Sequence, residues 1–140
     1  MRPGPVFTFN LQPMPNNQPV YKSIAESFLQ LVSTNRVREA FNSYIKNDFR
    51  HHNVFFKGDA VSLRGGMEEN AVLFPFKKLE VKQLIMEDNL VVAHSLVKME
   101  PGDTGIALIH IFRFEDGKIA ELWDLSQPIP AGSINENGPF

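Results

Sequence analysis

An α+β fold follows from three features of this chain. Apolar residues recur at spacings of three and four in the first half, then alternate from about Lys77. Three short turn signals divide the second half into four strand-length runs. Helices first and strands afterwards predict N-terminal helices packed on a curved antiparallel sheet.

The elements follow in order. Residues 1–19 hold five prolines and several Asn and Gln, so an extended arm is expected, with "VFTF" as a possible added strand. From Val20 the pattern turns helical, with Ile24, Phe28, Leu31 and Val32 on one stripe. "STNR" breaks that helix. A second short helix carries Val37, Ala40, Phe41, Tyr44 and Ile45. "KNDFRHHNVFFKGD" reads as irregular, with "VFF" as a short strand. Asp59 is the expected N-cap of a third helix over Ala60–Leu73, ended by Pro75. "KLEVKQLIMED", "NLVVAHSLVKME", "IALIHIFRFE" and "KIAELWDLS" are then four strands joined at "EDN", "PGDTG" and "EDGK", an antiparallel meander. One domain over residues 20–130 and a tail over 131–140 complete the reading, with no internal repeat.

Composition excludes several functions. The net charge of −2 comes with no basic stripe, so nucleic acid is not an expected partner. The chain has no cysteine, which removes thiolate chemistry and disulfides. No run approaches the roughly 18 apolar residues of a membrane span, and no signal-peptide core is seen. The expectation is a soluble cytoplasmic protein. GxGxxG, P-loop and GxSxG motifs are all absent. The four histidines show no HxH or HxxxH spacing, so no metal is expected. The 12 phenylalanines suit a packed core, and equally a cavity for an apolar ligand.

The last hairpin carries the candidate chemistry. A three-residue loop with a glycine bulge at "EDGK" would pair Phe114 with Lys118 and bring Leu108 opposite Asp124. His110 and Asp124 would then be diagonal neighbours on one apolar face, with Phe112 and Leu122. A two-residue loop would shift the register and separate them. A carboxylate on such a face can serve as general acid or base near neutral pH. It can equally be a strand-end residue bonded to the next turn. His94 shares its parity with Leu90, Val92 and Leu96, so it lies either in the core or in a pocket. His52 follows the second helix and is a second candidate, with His51 beside it expected to be exposed. Ile109, Ile111 and Trp123 would form an apolar outer face, which predicts a homodimer.

Two segments carry a family resemblance. "YIKNDFRHHNVFFKG" resembles a pattern of Tyr, a spacer, His-Asn and Gly, and "IFRFEDGKIAELWDLSQPIP" resembles a strand–turn–strand signature ending in Trp-Asp and a nearby Gln. Both are similar to the SnoaL-like polyketide cyclases, a group with the cone-shaped nuclear-transport-factor-two-like fold. The closing "NENGPF" resembles the tail of many members. The resemblance implies an acid/base Asp at position 124 in an intramolecular aldol closure, assisted by His110 and His52. It implies a small hydrophobic carbonyl-containing ligand held by Tyr44, His94, Leu108, Phe112 and Leu122, and no cofactor. A non-catalytic ligand-binding module of the same fold is the alternative. Three positions depart from the pattern: His110 stands where an Asp is common, Leu122 where a His is common, and Val54 where a Pro is common.

Overall fold

The computed structural model describes residues 18–140; the arm and its "VFTF" strand lie almost wholly outside them. Among the described residues three helices pack on one five-stranded sheet. They are α1 (Gln18–Ser33), α2 (Val37–Tyr44) and α3 (Ala60–Leu73). The strands are β1 (Ile45–His51), β2 (Lys78–Glu87), β3 (Leu90–Lys98), β4 (Ile106–Glu115) and β5 (Lys118–Pro128), in sheet order β1-β5-β4-β3-β2. Among the described residues no helix is long and apolar enough to cross a membrane.

The helices form where the apolar stripes predict them. Asn35 enters the left-handed region (φ 63°) between α1 and α2, where asparagine is better tolerated than most residues. Asp59 caps α3, its carboxylate accepting from the Ser62 N–H at 2.7 Å. The inner stripes meet the sheet through Phe28, Phe41, Phe49, Phe112 and Phe114, all nearly or fully buried. Phe28 stands edge-on to Phe112, ring centres 6.0 Å apart. Each such burial contributes about 1.5–3 kcal/mol.

One element departs from expectation. "IKNDFRH" is a strand, and it pairs parallel with β5, so the sheet is mixed at this edge. "VFF" is no strand; Val54 and Phe55 are exposed in the loop beyond it. The Asn and Asp that suggested a turn lie on the sheet edge, where their side chains meet solvent. Tertiary pairing overrides their weak strand propensity.

The β4–β5 hairpin departs in a second way. Its loop has two residues, Asp116 (φ 53°) and Gly117 (φ 76°), and Glu115 pairs with Lys118. Positive φ at both central positions is the turn that matches strand twist, hence the Asp-Gly sequence. Left alone, this register would put His110 opposite Trp123 and separate it from Asp124. The register shifts between Arg113 and Phe114, where β5 carries one extra residue at Ala120. Beyond this bulge His110 pairs directly with Asp124, Phe112 with Leu122 and Leu108 with Ser126. A second register shift, between Val81 and Gln83, interrupts β2.

Candidate active site

The concave face of the sheet is read off β3. Val91, Ala93, Ser95 and Val97 are buried, and His110, Phe112 and Phe114 continue that face on β4. A cavity of about 390 Å³ lies between this face, α1 and α3. Its wall includes Phe28, Leu63, Met67, Leu79, Val97 and Leu108, with polar groups at Asn53, Lys77, His110 and Asp124.

Asp124 is held from β1's side of the sheet. Asn53 Nδ2 donates to Asp124 Oδ2 at 3.0 Å. The Asn53 amide cannot flip without loss, because its Oδ1 already accepts the Phe55 N–H at 3.0 Å. His51 fixes the loop beneath. Its Nε2 lies 2.7 Å from the Lys57 carbonyl oxygen, which can only accept, so Nε2 carries the proton. Its Nδ1 then accepts from the Asn53 N–H at 3.1 Å. A neutral imidazole thus clamps the turn that aims Asn53 at Asp124.

His110 faces Asp124 across the β4–β5 ladder, with no direct hydrogen bond between the two side chains. Its Nδ1 is buried and has no hydrogen-bond partner among the described residues. Burial lowers its pKa below the ordinary histidine value, against the opposing pull of the Asp124 charge. The imidazole is therefore biased toward its neutral form, able to donate through one nitrogen and accept through the other.

The other predicted residues separate. Leu108 lines the cavity. Phe112 and Leu122 share the concave face but are packed solid beneath it, 0% and 1% exposed. Tyr44 ends α2 and borders a shallow depression with Val20 and Ile24, away from the cavity. His94 pairs with Ile109 on the convex face and packs on Phe140, ring centres 4.8 Å apart. The apolar stripe it shares is the outer one; the inner stripe of β3 is Val91–Val97.

His51 and His52 are the reverse of expectation. His51 pairs with Leu122, faces inward and is buried; His52, one residue on, faces outward and is 45% exposed in its side chain. His52 stacks on Trp123 at 4.9 Å and 4° and bonds Glu121 Oε2 at 2.6 Å. Glu121 is a site that sequence reasoning passed over. Its buried carboxylate also accepts from Arg50 Nε at 3.0 Å and Arg113 Nε at 3.0 Å. Burial alone would raise its pKa; the hydrogen bonds from His52, Arg50 and Arg113 outweigh that and hold it at about 2. Asn53 and Lys77 were missed as well. Asn53 stood within the resemblance pattern, and alternation along a recognised β1 would have separated the two histidines.

No curated protein matches the chain. Among solved structures it resembles a SnoaL-like polyketide cyclase from Agrobacterium tumefaciens (14% identity, 76% of this chain and 91% of that one, TM-score 0.62). It also resembles an NTF2-like protein of unknown function from Cytophaga hutchinsonii (17%, 77% and 90%, 0.62). A SnoaL-like protein of unknown function from Burkholderia thailandensis is similar at 10% identity (81% and 99%, 0.68). At these identities the likeness is one of fold, the NTF2-like α+β cone. The profile of the SnoaL-like domain matches residues 25–122, well over half of the chain. The chain belongs to the SnoaL-like domain family.

Proposed function

We propose that this protein is a cofactor-independent lyase or isomerase acting on a small enolisable carbonyl compound, with Asp124 as general acid/base. One observation carries the reading: a carboxylate in the cavity wall, held through one oxygen by Asn53 and facing a buried histidine with an unpartnered nitrogen. The ionised carboxylate takes a proton from the carbon next to the carbonyl. The C–H electron pair moves into an enolate, and the neutral His110 donates a hydrogen bond to the oxygen where charge develops. In an aldol closure the enolate carbon attacks a second carbonyl, and the resulting alkoxide is protonated from Asp124. The polyketide cyclase among the structural relatives is consistent with this chemistry.

Deuterium exchange into 2-tetralone, followed by NMR, tests it. The native protein is expected to accelerate exchange at the carbon between ring and carbonyl. Asp124→Asn is expected to lower that rate roughly 100-fold or more, the scale of general acid–base catalysis. Equal rates in the two proteins, or no acceleration by the native one, would sink the reading.

The assembly we propose is a homodimer. The convex face carries Ile109, Ile111 and Trp123, with Leu125 72% and Ile85 56% exposed, and a second copy would cover it. Light scattering in dilute solution should give twice the chain mass; a clean monomer counts against it.

A further inference from the structure

The cavity has a second polar end. Lys77 lies between α3 and β2, and lines both the cavity and an adjoining groove that also holds Lys78 and Lys98. Its ammonium donates to Asn70 Oδ1 at 2.5 Å, a neutral acceptor. An ammonium has three donors, and among the described residues this one makes no other hydrogen bond or ion pair; the backbone N–H of Lys77 donates separately to the Phe74 carbonyl. Glu69 also borders the cavity, yet it makes no salt bridge with Lys77. Glu80, the acidic residue of the groove, pairs with Lys82. A half-buried cation thus faces the cavity without a counter-charge.

Partial burial of this kind costs free energy unless an anion arrives. It also lowers the Lys77 pKa below the ordinary lysine value. Leu79, Val97 and Leu108 line the cavity from β2 to β4, with Ser126 beside Leu108 on β5. Lys77 leads into β2 and Asp124 lies on β5, third neighbours in the sheet, so the two polar ends stand well apart.

We propose that Lys77 is the anion subsite of the cavity, taking a carboxylate of the ligand remote from its reacting carbon. The substrate class then narrows to apolar, enolisable carbonyl compounds that carry a carboxylate at the far end. That narrowing rests on the reading of Asp124 as acid/base; the anion subsite stands without it.

The test compares 2-naphthoate with 2-naphthamide, matched in shape and differing in charge, by titration calorimetry at neutral pH. The native protein should bind the naphthoate roughly ten-fold or more tightly over the amide, the scale of a charge-assisted hydrogen bond. Lys77→Met should abolish the preference and Lys77→Arg should retain it. Should Lys77→Met fail to fold, the Lys77 side-chain titration of the native protein, read by carbon NMR, takes its place. Naphthoate should raise that pKa and naphthamide should not. A preference that survives Lys77→Met, no naphthoate binding by the native protein, or an unmoved Lys77 titration would overturn the proposal. Failure of 2-tetralone exchange alone would leave the naphthoate preference standing, so the two readings fail separately.

Discussion

The two faces of β5 carry two carboxylates three residues apart, with very different sets of partners. Glu121, on the convex face, is bonded by two guanidiniums and an imidazole, and is held ionised with a pKa of about 2. Asp124, on the concave face, has a single neutral amide donor and borders the cavity. Strand alternation puts residues three apart on opposite faces, and the bulge at Ala120, ahead of both, sets the register in which Asp124 pairs with His110. A carboxylate whose partners are complete is fixed in one protonation state and acts as structure. One left with spare acceptor capacity beside a cavity can exchange a proton.

Crossing two substitutions tests this contrast most strongly. Asp124→Asn should lower exchange activity by roughly 100-fold while costing about 1 kcal/mol or less in stability, because the amide keeps one acceptor for Asn53. Glu121→Gln should do the reverse. It removes the buried charge that Arg113 and Arg50 share, at a cost of about 2 kcal/mol, moderated because Arg113 keeps Glu115 and Arg50 is largely exposed. Activity should stay within a few-fold of native per folded molecule. Urea denaturation and the 2-tetralone assay on both variants read this out. An inactive Glu121→Gln protein that is fully stable would break the comparison.

Acid titration sharpens the same point. Glu121 has a folded pKa below its ordinary value of 4.5, at about 2. Its contribution is therefore complete above about pH 4.5 and is lost as pH falls toward 2. His110 is also depressed when folded. The unfolded chain binds that proton first, so stability starts to fall below about pH 6.5. Native protein should weaken in both windows. Glu121→Gln should flatten the lower one, and His110→Leu the upper one. Stability curves from pH 3 to 7 by denaturant titration check this, and two parallel curves would refute the assignment.

Asn53 should matter less than Asp124, since it touches the proposed acid/base group and not the reacting carbon. Asn53→Ala frees the carboxylate from its aimed position and should reduce kcat by roughly ten-fold with KM little changed. Asn53→Asp puts a second carboxyl 3.0 Å from the first, and like charges raise the pKa of one of them. The acid limb of the pH–rate profile should move upward. A KM effect alone would make Asn53 a substrate contact and not a positioning residue.

The sequence made much of this fold legible and less of the site. The Asp59 cap, the Pro75 stop and the four alternating runs mark α3 and the meander because each is a local signal. Strand β1 left no such signal. "IKNDFRH" carries turn residues, and only its pairing with β5, more than 70 residues away, makes it a strand. Everything dependent on β1 was lost with it: the inward turn of His51, the outward turn of His52, the approach of Asn53 to Asp124, and the Arg50–Glu121 pair. His110 and Asp124 were expected on one face, and they share it, but by a different route: the loop is shorter, and the bulge supplies the missing residue. His94 was read on an apolar stripe without knowing that both stripes of β3 are apolar, one facing the core and one outward.

Ser95 supports the smallest and most local test. It is fully buried on the concave face, and its Oγ has no hydrogen-bond partner among the described residues. A desolvated hydroxyl of this kind destabilises, and removing it leaves no other group stranded. Ser95→Ala should therefore leave stability unchanged or raise it by up to about 1 kcal/mol, against a small loss for the void. The opposite result would be informative in a specific way. Ser95 pairs with Leu108 and His110 with Ala93, so the two polar residues are diagonal neighbours on adjacent strands. If Ser95→Ala costs more than about 1 kcal/mol and the His110 titration shifts with it, Oγ and Nδ1 satisfy each other in solution. His110 would then be as fully partnered as Glu121, and Asp124 would be left as the one under-coordinated group of this pair.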